Sequence, residues 1–179
     1  MKRPTWATVV GVLGIILGCL GIIGGGQLMI FPKIMEIQKE MFSDMKESFE
    51  KSEGNAGHQA RPKEMFKIFE KMWNVPHWYG TWCVIAGVLS LLVSGFYLFA
   101  SIRLLQVKPS AISMFYYAAG VSIFLTLVKG LVGALTQTAS LGMVLVFGGL
   151  FSVVVNLVLI IVVATSDREA FIQQKAQPL

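Results

Sequence analysis

Lys129 is the strongest candidate for a functional residue in this sequence, because it is the only charged side chain inside four long apolar segments. An amine at the centre of a bilayer costs about 3 kcal/mol or more unless it reaches water or a partner. Its long side chain can snorkel to the membrane surface, since it lies about two helical turns from the end of its segment. Alternatively, it makes a structural polar contact or handles an ion, a proton or an anionic lipid.

Three uncharged polar residues extend this candidate site. Thr126 and Ser122 precede Lys129 by three and seven residues, so a helix places all three on one face. Asn156 lies near the middle of the last apolar segment, where an amide more often joins helices than binds a ligand. These residues predict a thin polar path between the third and fourth helices. No acidic residue accompanies Lys129 in the apolar segments, which argues against a proton-coupled carrier.

The first apolar segment carries a stripe of glycines spaced alternately three and four residues apart. Residues at this spacing share one face of a helix, and without side chains they let a neighbouring helix approach closely. Packing against another helix of the same chain is the simplest interpretation. Self-association or docking to a different membrane subunit is the alternative. The stripe consists of Gly11, Gly14, Gly18, Gly21 and Gly25.

A dense aromatic cluster precedes and begins the second apolar segment. Aromatic rings with a polar edge are enriched where hydrocarbon meets lipid headgroups, so an interfacial belt is the simplest interpretation. Recognition of a lipid or of a partner protein is the alternative. The cluster comprises Trp73, His77, Trp78, Tyr79 and Trp82.

Other chemistries lack the residues that they need. The methionines of residues 32–77 show no dense Met-x-x-Met repeat, so a metal site is not expected. Neither His58 nor His77 lies within a membrane helix facing another histidine, so no haem or other cofactor is expected. The sequence has no H-E-x-x-H or G-x-S-x-G motif and no phosphate-binding glycine loop, so we do not expect an enzyme. Residues 32–77 also carry equal numbers of basic and acidic side chains, which argues against nucleic-acid binding.

The apolar segments predict an all-α membrane protein with a single domain over residues 1–179. Hydrophobic residues make up 55% of the sequence and charged residues 14%, which is more apolar than a soluble core absorbs. A membrane-spanning helix needs about 20 apolar residues, and four segments are long enough. We therefore predict a four-transmembrane-helix bundle with spans at about 6–31, 78–102, 111–136 and 141–165.

Residues 32–77 predict an extracytoplasmic amphipathic helical hairpin between the first two spans. Apolar residues recur every three or four positions in each arm, and residues 54–57 separate the arms. Pro32 and Pro76 are expected to mark kinks or turns where the hairpin meets the membrane helices. The apolar faces can pack on each other, lie among lipid headgroups or dock a partner. They consist of Ile34, Ile37, Met41, Phe42, Met45 and Phe49 in the first arm and Met65, Phe66, Phe69, Met72 and Trp73 in the second.

The basic residues outside the spans predict the orientation. Both chain termini and the link between the second and third spans are basic, whereas residues 136–140 carry no charge. The positive-inside rule therefore places both termini in the cytoplasm and residues 32–77 outside. The sequence has no N-x-Ser/Thr sequon and no cysteine pair in residues 32–77, which favours a bacterial inner membrane.

Two functions fit these features. The first is a non-enzymatic accessory or assembly subunit of a membrane complex, or a self-associating tetraspan scaffold, that acts through the glycine stripe and the outer hairpin. Its partners would be membrane lipids, other membrane subunits or a second copy of the chain. The second is a small channel, transporter or lipid-handling protein that uses a polar path around Lys129, Asn156 and Thr126.

Overall fold

The protein is all-helical in the part that the structure describes. The computed structural model describes residues 4–52, 76–135 and 139–166, with side chains for all of these except 49–52 and 139–147. Each of its four helices is long and apolar enough to cross a membrane, which confirms the predicted number of spanning helices. The helices are α1 (Thr5–Ser52), α2 (His77–Leu105), α3 (Ala111–Leu135) and α4 (Ala139–Thr165).

Helix α1 differs from the prediction at Pro32. A kink or a turn was expected there, and the structure rules out the turn, because α1 continues through this proline to Ser52 as one helix. A proline removes only one backbone donor, and helices tolerate it where their surroundings compensate. Pro32 also packs beside α2, since a Cβ on Gly80 would lie 3.7 Å from its Cβ. The first arm of the expected hairpin, from Ile34 onwards, is therefore an extension of the first membrane helix.

The four helices form an antiparallel ring in chain order. Helix α1 packs most extensively on α2, α2 on α3 and α3 on α4, and α4 returns to α1 with the fewest contacts of these neighbouring pairs. The antiparallel direction of α1 and α2 is visible in two contacts. Gly11 lies against Leu105 near the end of α2, and Gly25 lies against Gly87 nearer its beginning.

A tight turn joins α2 to α3. The Val107 N–H donates to the Leu104 carbonyl (3.1 Å), and the Arg103 guanidinium donates to the Ser110 hydroxyl (3.2 Å) across the turn. Val107 has a positive φ of 56°, an uncommon conformation for a β-branched residue. The turn thus holds the end of α2 and the start of α3 side by side.

A closely packed core lies at one end of the bundle, where Thr5, Leu105, Ala111 and Thr165 lie. We call it the packed end, and the opposite end the cavity end. Apolar side chains from all four helices, both small and large, form this core. Its buried residues are Ala7, Val10, Tyr97, Ala100, Leu104, Ala111, Phe115, Ala118, Ala119, Leu159 and Val163.

Several predicted features lie outside the described residues. They are the second arm of the hairpin with its cluster at 54–57, the aromatic residue Trp73, the first part of the link between the last two spans, and the basic residues of both tails.

Candidate functional site

A polar cavity lies between all four helices on the cavity-end side of the core. Its volume is about 290 Å³. Helix α1 contributes glycine and leucine, whereas α2, α3 and α4 contribute polar side chains. The polar side chains are Ser90, Ser94, Tyr97, Ser122, Thr126, Lys129, Ser152 and Asn156.

A hydrogen-bonded pair forms the floor of the cavity. The Tyr97 hydroxyl donates to Oδ1 of Asn156 (2.8 Å), and Nδ2 of Asn156 donates to the Ser152 carbonyl (2.8 Å). The Tyr97 ring packs edge-on against Phe115 of the core, with ring centroids 5.6 Å apart. This pair therefore separates the polar cavity from the apolar packed end. Asn156 joins two helices, as amides in membrane helices commonly do.

Lys129 extends into the bundle toward α2. Its ammonium donates to the Ser90 hydroxyl (3.2 Å), which in turn donates to the Ala86 carbonyl (2.6 Å). Lys129 lies about 9 Å along the helix axis from the end of α3 at Leu135. A lysine ammonium has three N–H donors, and in the described part of the chain only Ser90 accepts from it. Within the described residues, two of its donors thus remain for a ligand or for water.

Three hydroxyls in the cavity are also without a hydrogen bond to the described residues. They belong to Ser94, Ser122 and Ser152, one from each of α2, α3 and α4. Ser94 is only 8% exposed, so its unsatisfied hydroxyl is shielded from bulk solvent. A buried hydroxyl without a partner costs about 1–3 kcal/mol, and a ligand or a water molecule in the cavity would recover that energy.

The charge of Lys129 is not balanced by a carboxylate in the cavity. The acidic residues in the described part of the chain all lie on α1 beyond Pro32, beginning at Glu36. Glu36 is about 22 Å along the helix axis from Gly21, the last α1 residue of the cavity lining. A charged Lys129 therefore gives the cavity a net positive charge, and an anion is the ligand that would neutralise it.

The structure brings the whole predicted polar path into this one cavity. Lys129, Thr126 and Ser122 line it from α3, and Asn156 lines it from α4. The Thr126 hydroxyl donates to the Ser122 carbonyl (2.8 Å) within α3. Sequence reasoning missed the contribution of α2. Its signal is present, because Ser90, Ser94 and Tyr97 are spaced four and three residues apart and share a helical face.

The glycine stripe of α1 lies against α2. A Cβ on Gly11 or Gly18 would lie 2.6 Å from the side chain of Leu105 or Leu98, respectively, which is closer than atoms pack. Gly14 and Gly21 would place a Cβ against the hydroxyls of Ser101 and Ser94. Gly25 approaches the Gly87 backbone, where a Cβ would lie 3.1 Å from the carbonyl oxygen. The first four glycines of the stripe thus lie where an added side chain would force its neighbours to shift, and Gly25 lies where it would be tightly packed.

The described members of the aromatic cluster lie at the start of α2. Tyr79 is buried, whereas His77 and Trp78 are exposed and Trp82 is half-buried. The rings of Trp78 and Tyr79 meet edge-on, with centroids 6.1 Å apart. His77 and Tyr79 also line a second cavity of about 230 Å³ between the start of α2 and the Phe31–Lys39 part of α1.

Comparison with known proteins adds no relative, because no protein-family model, curated protein or solved structure matches this chain.

Proposed function

We propose that this chain is a non-enzymatic integral membrane protein that binds an anionic group inside its helix bundle, as a carrier or lipid-handling protein does. The observation that carries the proposal is the Lys129 ammonium in a polar cavity formed by all four helices. The described residues of the cavity include no carboxylate to neutralise it.

The energetics favour an anion over a purely structural role for Lys129. A charge held inside a membrane protein is costly unless it is paired and hydrogen-bonded. The described structure gives this ammonium one hydrogen bond to a neutral serine. An anion at this position would accept the two remaining N–H donors of Lys129 and a donor from Ser94. Charge-assisted hydrogen bonds of this kind are about twice as strong as neutral ones.

The test is ligand-induced stabilisation of the purified full-length protein. Wild type, Lys129→Arg and Lys129→Met are each titrated with inorganic phosphate and with 1-oleoyl lysophosphatidic acid, which present the same phosphate monoester chemistry in water and in a lipid. Binding to the folded state raises its melting temperature with ligand concentration. We expect at least one probe to stabilise wild type and Lys129→Arg, and to stabilise Lys129→Met with at least tenfold lower apparent affinity. The proposal is wrong if neither probe distinguishes the Met variant from wild type.

An accessory or assembly subunit remains the second candidate function. An exposed apolar stripe on the extension of α1 favours it, because Ile34, Ile37, Met41 and Met45 have no described partner covering them. The glycine stripe is less available for contact with another subunit, since it already lies against α2. Mild-detergent purification of the natively expressed protein, followed by mass spectrometry, tests this function. Co-purification of membrane subunits at fixed stoichiometry would support it, and a chain that elutes alone would oppose it.

We also propose that the protein lies in a bacterial inner membrane. The basic residues that flank its spans support an orientation with both termini in the cytoplasm. Labelling by a membrane-impermeant maleimide tests the orientation in intact cells. A cysteine at Ser48 should react from outside, and a cysteine at Lys108 should react only after the membrane is opened. The reverse pattern would invert the topology.

A further inference from the structure

Contacts between neighbouring helices close three sides of the cavity. On the α1–α2 side, Gly18 and Gly21 lie against Leu98 and Ser94. On the α2–α3 side, Lys129 bonds to Ser90. Two further contacts close the third side, between α3 and α4, and the floor at the packed end. A Cβ on Gly149 of α4 would lie 3.2 Å from the methyl group of Thr126, and Tyr97 bonds to Asn156 at the floor.

On the fourth side, between α1 and α4, the described residues leave an opening at the level of the cavity. These two helices make the fewest contacts of the neighbouring pairs. Gly148 lines the cavity from α4, and a Cβ built on it meets no atom within 4 Å. Leu20 of α1 and Phe151 of α4 also line the cavity and are 58% and 71% exposed, respectively. The opening is therefore flanked by exposed apolar side chains.

We propose that the anionic ligand is a membrane lipid that reaches the cavity sideways, through the opening between α1 and α4. This inference rests on the proposed function, namely anion binding at Lys129. The anionic headgroup lies in the cavity beside Lys129 and Ser94, while the acyl chain passes between Leu20 and Phe151 and stays in the bilayer. An apolar opening suits this route, because a free ion would have to cross hydrocarbon to reach it.

The size of the cavity restricts the headgroup. At about 290 Å³ it lies at the lower limit of typical ligand pockets, which hold roughly 300–1,000 Å³. A carboxylate or an unsubstituted phosphate monoester fits this space and can accept several hydrogen bonds at once. The ligand class that we propose is therefore an anionic lipid with a small headgroup, such as a fatty acid or a lysophosphatidic acid.

The experiment narrows the opening without touching Lys129. Phenylalanine is placed at Gly148, where its ring has space in the opening, and as a matched control at Gly120 of α3. Gly120 is exposed, does not line the cavity and likewise has no atom within 4 Å of a built Cβ. Each variant is reconstituted in phosphatidylcholine nanodiscs. It is titrated with inorganic phosphate, with 1-oleoyl lysophosphatidic acid, and with 1-oleoyl lysophosphatidylcholine, which has the same tail and no net charge.

We expect lysophosphatidic acid to raise the melting temperature of wild type and of Gly120→Phe, and to bind Gly148→Phe at least tenfold more weakly. Inorganic phosphate and lysophosphatidylcholine should have no comparable effect on any variant. If phosphate alone binds in a Lys129-dependent manner, or if Gly148→Phe binds the lipid as wild type does, the lateral route is wrong while anion binding stands. If no anionic probe depends on Lys129, both proposals fail together.

Discussion

The packed end and the cavity end are built from the same ring of antiparallel helices but use their large side chains in opposite ways. At the packed end, Tyr97, Leu104 and Phe115 are buried in the core together with several alanines. At the cavity end, Leu20 and Phe151 are mostly exposed, and small and polar side chains line the cavity together with the half-buried Leu17, Val93 and Leu125. The direction of the large side chains, rather than helix composition, thus decides which end is closely packed and which end contains a cavity.

The comparison predicts the largest effect for phenylalanine truncation at the two ends. Phe115→Ala should lower the free energy of unfolding by about 3 kcal/mol, at the low end for a buried phenylalanine because lipid also solvates the unpacked helix. Phe151→Ala should change it by less than about 0.5 kcal/mol, since Phe151 is 71% exposed. Unfolding titration with sodium dodecyl sulfate in mixed micelles measures both. Equal costs would contradict the distinction between a filled end and an open one.

The next largest effect is expected in the contact between α1 and α2, which extends from the packed end to the cavity end. Gly18→Leu should destabilise the protein by about 1–3 kcal/mol, because its Cβ alone would lie 2.6 Å from Leu98. Gly24→Leu is the matched control on the same helix, where a built Cβ meets no atom within 4 Å. The same detergent titration compares them. A destabilised Gly24 variant would mean that this face of α1 is covered as well.

The smallest effect concerns the boundary between the two ends. Tyr97→Phe removes the donor to Asn156 and leaves the amide oxygen unsatisfied, so it should cost about 1 kcal/mol of unfolding free energy. Tyr117→Phe should be nearly silent, because Tyr117 is largely exposed on the outside of α3. If the two variants behave alike, the Tyr97 hydrogen bond does not hold the floor of the cavity.

The number and approximate bounds of the spanning helices follow from the sequence. Runs of apolar residues long enough to cross a bilayer leave few alternatives, since a helix satisfies all of its backbone groups internally. The residues that share one face of a helix can also be predicted from the sequence. The spacing of Ser122, Thr126 and Lys129 places them on one face, and the spacing of the glycine stripe does the same for α1.

Only the tertiary structure decided what those faces meet. In a membrane both the lipid-facing and the inward-facing sides of a helix are apolar, so the sequence pattern does not separate them. The direction of the Lys129 ammonium toward Ser90, the meeting of the glycine stripe with α2 and the limited contact between α1 and α4 each depend on the rotation of one helix against another. The continuation of α1 through Pro32 was likewise beyond the sequence, because local propensity favours a break there and neighbouring contacts overrule it.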